Sequence, residues 1–348
     1  MRRLIVLLVI LAAVCAAVAG YFYARVDERY QAFEAAEQFV DIPSGAGSQS
    51  IGRALVAAGV VRDEWTFRLA VYLTGTAREL KAGEYRFAGP ASPKDVARRL
   101  ARGDVYLRPI TFPEGLAIKE MAGLFESKGF GTAEAFKKAS SNTSPVRAID
   151  PKAPDLEGYL FPETYNLPRR ADAAALVTQM TTRFLAVMDE SLRREAEAQG
   201  RTVREVVTLA SLVEKETAKA EERPIVAAVY LNRLRIGMGL QCDPTVIYAL
   251  EKAGKYTGNL TRENLRFDSP YNTYRYAGLP PGPIAAPGRA SIEAVLRPAR
   301  VDYLYFVSRN DGSHVFATTL AEHNRNVREW QKLFFKDKGQ GTKDKATR

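Results

Sequence analysis

The sequence has only two cysteines and two histidines, and this scarcity excludes several kinds of chemistry. Cys15 lies in an apolar run and Cys242 stands alone, so neither a disulfide framework nor a thiolate zinc site is expected. His314 and His323 lie in no nucleophile motif, which argues against a Ser-His-Asp or Cys-His catalytic arrangement. We therefore expect no cofactor and no catalytic metal, and carboxylate chemistry remains.

The formal charge of +10 is partly concentrated at the ends of the chain. Arg2 and Arg3 begin it, and residues 336–348 form a polar segment without a hydrophobic pattern, which predicts a disordered tail. No run of Lys and Arg is interleaved with aromatic residues, so nucleic acid is not an expected partner. The basic balance instead favours contact with an anionic surface, either a membrane or a cell-wall polymer.

Residues 4–24 form an uncharged, mainly apolar run, which as a helix crosses about 30 Å of hydrocarbon. Tyr21, Phe22 and Tyr23 lie near the end of this run, where an interfacial aromatic belt is expected. We therefore assign residues 1–25 to a cytoplasmic N-terminus and a transmembrane anchor.

Two other interpretations of this segment stay open at the level of sequence. Residues 17–19 resemble a signal-peptide cleavage site, although the length of the run and its aromatic exit favour retention. A lipoprotein is disfavoured because Val14, rather than a small residue, precedes Cys15. The charge bias across the helix is slight, but its very short N-terminal flank favours a cytoplasmic N-terminus and an extracytoplasmic remainder.

Periodicity predicts an α+β protein with a helix-rich C-terminal domain. Strands are expected at 39–42 and 83–87 with two helices between them, which is the βααβ order of a LysM-type glycan-binding unit. Helices are expected at 174–188, 201–219 and 223–235, and a β-hairpin at 303–307 and 314–317. The predicted divisions after the anchor are a stalk continuing the anchor helix (26–38), the LysM-like subdomain (39–107), a connecting subdomain (108–149), the catalytic domain (150–335) and the tail (336–348).

A faint repeat relates two parts of the chain. Residues 113–115 follow the turn at 43–45 by 70 positions, and Gly129 follows Gly59 by the same interval. Two units made of a prolyl turn and a helix are expected on this basis.

The most informative segment, LASLVEKET (209–217), places two carboxylates two residues apart. At about 100° per residue, Glu214 and Glu216 both fall on the apolar side of the predicted helix, whereas Lys215 and Thr208 fall opposite. A buried Glu has a raised pKa and can act as a general acid. The alternative is a helix end at which both carboxylates are exposed or paired with Lys215 and Lys219, and periodicity does not decide between the two glutamates.

Six ordered motifs resemble the membrane-anchored endolytic murein transglycosylase family MltG, also called YceG-like. They are LEGYLFPETY (156–165), LASLVEKET (209–217), VYLNRLRIGMGLQCDPTVIY (229–248), SPYNTY (269–274), GLPPGPIAAPG (278–288) and YLYFV (303–307). The resemblance extends over roughly residues 1–333. Cys242 stands where we would expect Thr in that family.

The resemblance implies that Glu216, the second Glu of the EKET motif, is the catalytic acid of a peptidoglycan lytic transglycosylase. Such an enzyme cleaves between N-acetylmuramic acid and N-acetylglucosamine and leaves a 1,6-anhydromuramoyl end, so that one carboxylate suffices. The implied partners are glycan strands of peptidoglycan, the inner membrane through one helix, and peptidoglycan synthases. The implied role is to end the elongation of nascent strands.

The remaining motif residues are predicted to form the substrate groove, and a structural alternative stays open for several. Glu157 and Glu163 either bind sugar hydroxyls or serve as a helix cap or in an ion pair. Gln241 and Asp243 precede a predicted helix, where Asp243 is either a ligand of the sugar or an N-cap. Candidates for acetamido hydrogen bonds and sugar stacking are Asn272, Thr273 and Tyr274. His323 and Asn324 are candidates for capping the final helix.

Two other functions remain to be distinguished from a transglycosylase. A hydrolytic muramidase requires a second group that activates water, such as Glu214 or Asp243, and leaves a reducing end. A non-catalytic glycan-binding scaffold of the synthesis complex would use the LysM-like unit, and would have no need of a buried acid.

Overall fold

The computed structural model of the protein describes residues 2–169 and 171–333. The helices of this part are α1 (Arg2–Arg25), α2 (Ser48–Ala57), α3 (Glu64–Leu73), α4 (Pro93–Arg102), α5 (Ile118–Ser127), α6 (Ala133–Ser140), α7 (Ala173–Val187), α8 (Glu190–Ala198), α9 (Val203–Glu216), α10 (Arg223–Arg235), α11 (Asp243–Lys252), α12 (Arg289–Leu296) and α13 (Leu320–Val327). The strands are β1 (Gln38–Ile42), β2 (Gly83–Phe87), β3 (Arg108–Thr111), β4 (Thr164–Leu167), β5 (Tyr305–Ser308) and β6 (His314–Ala317). They pair two by two, as β1 with β2, β3 with β4, and β5 with β6. The predicted α+β class is thus confirmed, and the predicted tail lies outside the described residues.

The chain divides into two compact units. The first comprises Met1–Pro109 and Asn166–Arg169, and the second comprises Ile110–Tyr165 and Arg170–Arg348. The division near residue 109 lies close to the predicted boundary at 107/108. Residues 110–149, assigned above to a connecting subdomain, lie in the same unit as the catalytic helices.

The first unit contains the predicted βααβ arrangement. Strand β1 runs antiparallel to β2, with Gln38 opposite Phe87 and Ile42 opposite Gly83. Asp63 caps α3 by accepting a hydrogen bond from the Thr66 amide. The alternating strand residues and the inner faces of α2, α3 and α4 bury one apolar core. Its members include Val40, Ile42, Ile51, Leu55, Phe67, Val71, Tyr85, Phe87, Val96 and Leu100.

Helix α1 holds the predicted apolar run. Ile5–Arg25 is long and apolar enough to cross a membrane, and its side chains are not buried inside the protein. A single-pass membrane anchor fits these properties.

The prediction that the anchor helix continues as a stalk over 26–38 is wrong. Helix α1 ends at Arg25, and the following residues pack onto the first unit instead of projecting from it. Val26 is fully buried, and its carbonyl accepts a hydrogen bond from the Lys94 amide. Tyr30 forms an isolated antiparallel bridge with Ala91. Burial of Val26 and these backbone bonds favour the irregular path over a continued helix.

After the first strand-helix-helix-strand series, the chain forms a second strand, two helices and a strand (β3, α5, α6 and β4). Gly59 and Gly129 both adopt left-handed φ angles, 69° and 71°, and each follows its helix by the same turn. The amide of the residue after each glycine returns to the helix in both cases, from Val60 to the Leu55 carbonyl and from Phe130 to the Phe125 carbonyl. The expectation of a repeated turn-and-helix unit is therefore confirmed at the level of local structure.

Helix α9 is the centre of the second unit. A capping box between Thr202 and Glu205 begins it, and it packs against α8, α10, α11 and α12. Because helices surround it, all eight residues from Val206 to Val213 are buried, including Thr208, which periodicity placed on the outer side. The helix ends at Glu216, three residues before the predicted end, since Thr217 is extended with φ −140°.

The C-terminal hairpin forms as predicted, with Tyr305 opposite Ala317 and Ser308 opposite His314. The final helix begins at Leu320, because Thr319 and Glu322 form a capping box. The prediction that His323 and Asn324 cap this helix is therefore wrong. Both residues lie inside it.

Candidate active site

The Glu216 carboxyl lies at the C-terminal end of α9, facing α10 and the start of α11. The Tyr230 hydroxyl, from α10, donates a hydrogen bond of 2.7 Å to its Oε1. Burial raises the pKa of Glu216, while the Tyr230 hydroxyl, the Cys242 thiol and the charge of His314 partly oppose the rise. A carboxyl with a raised pKa at the edge of a packed helix core is a candidate general acid.

Residues at the start of α11 lie next to Glu216. Cys242 is buried beside the carboxyl, and Asp243 contributes a nearby charge that raises the pKa of Glu216. Asp243 is the first residue of α11, while Cys242 occupies the N-cap position without capping by its side chain. The N-cap interpretation of Asp243 is thus wrong. Its exposed carboxylate instead accepts a hydrogen bond of 2.6 Å from the Tyr274 hydroxyl.

The hydrogen bond to Asp243 fixes an aromatic ring beside the acid. Tyr274 is exposed, and both burial and the hydrogen bond to Asp243 raise the pKa of its hydroxyl. An exposed ring held in one orientation is suited to stack on a sugar face. Of the predicted groove residues, Asp243 and Tyr274 are brought together beside Glu216.

Gln241 precedes this pair in a backbone conformation that is rare for residues with a side chain. Its φ is 50°, and its amide donates to the Thr273 carbonyl. The side chain is exposed. Left-handed backbone at a non-glycine residue costs about 1–2 kcal/mol and tends to persist at functional positions.

Asn272 and Thr273 hold the loop that carries Tyr274 in place through hydrogen bonds. Asn272 is fully buried, and its side-chain amide donates to the Leu265 and Phe267 carbonyls while its oxygen accepts from the Tyr274 amide. The Thr273 hydroxyl accepts from the Cys242 amide. These contacts use the polar atoms of both side chains to hold the loop of Tyr274 against the start of α11. Hydrogen bonds from Asn272 and Thr273 to sugar stay a prediction.

Glu214, the other carboxylate of the motif, is held in a different set of contacts. Its side chain is only 6% exposed and lies 3.6 Å from the Arg223 guanidinium. Its Oε2 accepts hydrogen bonds from the Gly288 amide and the Ser291 hydroxyl, at the N-terminus of α12. The alternative of pairing with Lys215 or Lys219 is therefore wrong for Glu214, and its oxygens are committed to holding α12.

The proline-rich loop over 278–288 packs onto α9 through a hydrogen bond and close van der Waals contact. The Ser211 hydroxyl accepts from the Ile284 amide. Gly158 adopts a φ of 82°, and a Cβ on it would come within 2.5 Å of Pro283. The glycine of the LEGY motif is thus required by close packing against this loop.

Hydrogen bonds join Glu222, which directly precedes α10, to the C-terminal hairpin. The His314 ring nitrogen Nδ1 lies 2.7 Å from Glu222 Oε2, and the His314 amide donates to Oε1. Thr217, next to Glu216, also donates to Glu222. Burial raises the pKa of Glu222, but these hydrogen bonds and the His314 charge outweigh burial and hold the pKa below its usual value.

Glu157 lies in a separate pocket of the second unit. Its side chain is 8% exposed, and it accepts from the Ile118 amide and the Tyr248 hydroxyl. Burial raises its pKa to about 8. The pocket has a volume of about 280 Å³ and is also lined by Asp155, Lys119, Lys137 and Lys252. Tyr248 lies five residues beyond Asp243 on α11, so Glu157 and Glu216 meet this helix on different faces.

Glu163 is exposed and forms an ion pair with Arg183 at 2.7 Å. It thus adopts the ion-paired state that the sequence left open, and sugar contact stays a prediction.

Sequence reasoning missed three residues around Glu216, namely Tyr230, Cys242 and His314. Tyr230 lies within a quoted motif, but its role depends on the packing of α10 against α9. Among the described residues, no three His, Cys, Asp or Glu side chains come together as a metal site.

The fold and the site define a helix-rich α+β protein with a carboxyl of raised pKa at the end of a core helix. The profile of the YceG-like family matches residues 40–329. The chain belongs to this family.

Curated relatives cover most of the chain. A protein of Bacillus subtilis named endolytic murein transglycosylase is 33% identical over 306 residues, which is 82% of this chain and 82% of that protein. A protein of Streptococcus pneumoniae with the same name is 33% identical over 324 residues, which is 83% of this chain and 58% of that longer protein. The crystal structure of a putative yceG-like protein from Listeria monocytogenes is similar with a TM-score of 0.57 and 30% identity. The match covers 83% of this chain and 98% of that chain.

Proposed function

We propose that this chain is a lytic transglycosylase of peptidoglycan and that Glu216 is its catalytic acid. The activity is the one that the names of its relatives give. The observation that supports Glu216 is its carboxyl, which is partly buried, has a raised pKa and is oriented by Tyr230. Because Tyr230 donates to Oε1, the acidic proton belongs on Oε2.

The proposed reaction uses this one carboxyl twice. Oε2 of Glu216 donates its proton to the glycosidic oxygen between N-acetylmuramic acid and N-acetylglucosamine as the bond to the anomeric carbon breaks. The carboxylate then takes the proton of the muramoyl 6-hydroxyl, whose oxygen bonds to the anomeric carbon. The products are a 1,6-anhydromuramoyl end and a free N-acetylglucosamine hydroxyl, and no water is consumed.

The contacts of the other carboxylates favour this route over hydrolysis. Glu214 is occupied by Arg223, Gly288 and Ser291, so it is poorly placed to activate water. Asp243 is the remaining candidate base for a muramidase, and it is bound by the Tyr274 hydroxyl. We propose instead that Asp243, Gln241 and Tyr274 bind sugar beside Glu216.

The apolar helix α1 and the βααβ unit suggest where this reaction takes place. We propose that α1 anchors the protein in the inner membrane with its N-terminus in the cytoplasm and the remainder outside. We further propose that the βααβ unit is LysM-like and binds glycan, and that cleavage within nascent strands ends their elongation beside peptidoglycan synthases.

The test is mass spectrometry of peptidoglycan incubated with the full-length protein in nanodiscs. The wild type should produce anhydromuramoyl ends, and Glu216→Gln should produce none, because an amide cannot donate the proton. Glu190→Gln is the matched control, since Glu190 lies on the exposed side of α8 and should leave the products unchanged.

Each other result would reject part of the proposal. Reducing muramoyl ends would identify a muramidase, with Asp243→Asn as the next variant. Unchanged glycan with both the wild type and Glu216→Gln would indicate a non-catalytic scaffold. Anhydro ends from Glu216→Gln would place the acid elsewhere.

A further inference from the structure

The outer face of α3 exposes large apolar side chains that have no cover within the first unit. Trp65 is 65% exposed, Tyr72 is 80% exposed and Leu73 is 41% exposed. With Leu69 they recur at helical spacing, within about 100° of one another around the axis. The opposite face of α3 carries Thr66, Phe67, Ala70 and Val71, which are buried in the core. Helix α3 is therefore apolar on two sides, and only the inner side is buried in the core.

This outer face lies next to the end of the membrane anchor. Trp65 and Leu69 line an open groove of about 570 Å³ together with Ala19, Phe22 and Tyr23 of α1. Phe22 and Tyr23 belong to the aromatic segment at the end of the apolar run, the level at which a spanning helix leaves the hydrocarbon. The position of this groove places the outer face of α3 at the same depth as that aromatic segment.

The junction between α1 and the rest of the first unit is fixed by several contacts. Val26 is fully buried directly after the helix. The Lys94 amide donates to the Val26 carbonyl, and the Lys94 ammonium lies 2.6 Å from Asp27. The same ammonium lies over the Tyr23 ring, 5.6 Å from its centre. These contacts leave little freedom for α3 to move away from the surface through which α1 passes.

The side chains of the outer face match a lipid interface. Trp and Tyr concentrate at headgroup depth, where an apolar ring and a polar edge are both satisfied. The Arg68 guanidinium lies over the Trp65 ring at 4.8 Å and 3.5 Å from the Glu64 carboxylate, so the stripe carries a cationic group at its edge. An exposed apolar stripe of this kind is unfavourable in water and marks an interaction surface.

We propose that the outer face of α3, formed by Trp65, Arg68, Leu69, Tyr72 and Leu73, lies in the headgroup region of the bilayer that α1 enters. The first unit is then held against the membrane by two elements, a spanning helix and an interfacial one. This inference is independent of the reaction at Glu216.

Tryptophan fluorescence can test the proposal, because Trp65 and Trp330 are the two tryptophans of the chain. The full-length Trp330→Phe variant leaves Trp65 as the reporter. We place it in nanodiscs whose lipids carry bromine on the acyl chain, either close to the headgroup or close to the chain end. Intact mass confirms that α1 is present.

The expected result is a blue-shifted emission that shallow bromine quenches more strongly than deep bromine, because tryptophan at headgroup depth lies closer to the shallow label. Adding Leu69→Glu and Tyr72→Glu to this variant should reduce the quenching. The reverse variant, Trp65→Phe, reports on Trp330 and should show little quenching.

Three results would overturn the proposal. Red-shifted emission that acrylamide quenches and bromolipids do not would mean that the face is in water. Blue-shifted emission without bromolipid quenching would mean that protein covers it, such as a second copy of the chain. Equal quenching of Trp65 and Trp330 would mean unspecific adsorption.

Discussion

The hydroxyl of Tyr230 lies 2.7 Å from Oε1 of Glu216 and joins the middle of α10 to the end of α9. Fourteen positions separate the two residues in the sequence, and only the packing of the two helices brings them together. The bond orients the carboxyl and favours its ionised form, whereas burial favours the protonated form. The balance of these two effects sets the pH range in which Glu216 can donate a proton.

Replacement of Tyr230 by Phe should change the pH profile as well as the rate. The hydroxyl stabilises the carboxylate, so its removal should raise the pKa of Glu216 and move the alkaline limb of kcat/KM to higher pH. Loss of a hydrogen bond to a charged group, at about 1.5–3 kcal/mol, should lower kcat/KM at neutral pH by roughly ten- to a hundredfold.

The Tyr230 prediction is checked by pH–rate profiles of the variant and the wild type. Tyr165→Phe is the matched control, because Tyr165 donates to the Phe161 carbonyl and its loss should leave the alkaline limb in place. An unmoved limb in Tyr230→Phe would contradict the assignment of Glu216 as the acid.

Glu214→Gln should destabilise the fold rather than alter the pH profile. The change removes the carboxylate that lies 3.6 Å from the half-buried Arg223 guanidinium, which keeps only the more distant and more exposed Glu114, and it weakens the hold on the N-terminus of α12. We expect a loss of about 2–4 kcal/mol in the free energy of unfolding, measured by denaturant titration. Glu190→Gln, at an exposed site, should change it by less than about 0.5 kcal/mol. Equal stability of the two variants would be inconsistent with the role given to Glu214.

Glu157→Gln should alter how stability depends on pH. The pKa of Glu157 is about 8 in the folded protein against 4.5 ordinarily, so the unfolded chain releases this proton first as pH rises. The folded wild type therefore loses stability between about pH 4.5 and pH 8, by at most roughly 1.4 kcal/mol per pH unit, and this contribution is constant above pH 8.

The amide that replaces the Glu157 carboxyl in this variant carries no titrating proton, so E157Q should gain stability relative to the wild type across that window. Unfolding midpoints measured at a series of pH values check this. Parallel curves for the two proteins would show that the carboxyl of Glu157 is not held in its neutral form.

Gln241 offers a way to separate backbone strain from substrate contact. Gln241→Gly should keep or raise stability, by up to about 1 kcal/mol, because glycine accepts φ near 50°. Gln241→Ala keeps the strain and also removes the side-chain amide. If the amide binds sugar, both variants should raise KM with little change in kcat. An unchanged KM in both would remove Gln241 from the candidate groove.

Much of the fold could be predicted because local patterns decide it. The apolar run of α1, the βααβ order and the hairpin at 305–317 each depend on spacing and turn residues over short stretches. Helix ends were less predictable. Helix α9 ends at Glu216 and α13 begins at Leu320, because Thr217 and Thr319 adopt extended conformations. The irregular path after Arg25 depends on the burial of Val26, which periodicity does not report.

The candidate site could be predicted only in part. Periodicity placed Glu214 and Glu216 on the apolar side of one helix, and the family resemblance was needed to prefer the second. In the structure, Glu214 has Arg223 and the start of α12 as partners, and Glu216 has Tyr230. The pKa of Glu216 depends on the burial that these neighbouring elements produce.

The sequence by itself determined the membrane-helix candidate, the order of the small βααβ unit and the core helix that carries Glu214 and Glu216. The tertiary structure alone decided that Asp243 and Tyr274 join beside Glu216, that Glu157 lies in another pocket, and that Asn272 is buried. The reason is physical. Periodicity reports which face of an element is apolar, whereas hydrogen-bond partners and burial depend on elements that meet from distant parts of the chain.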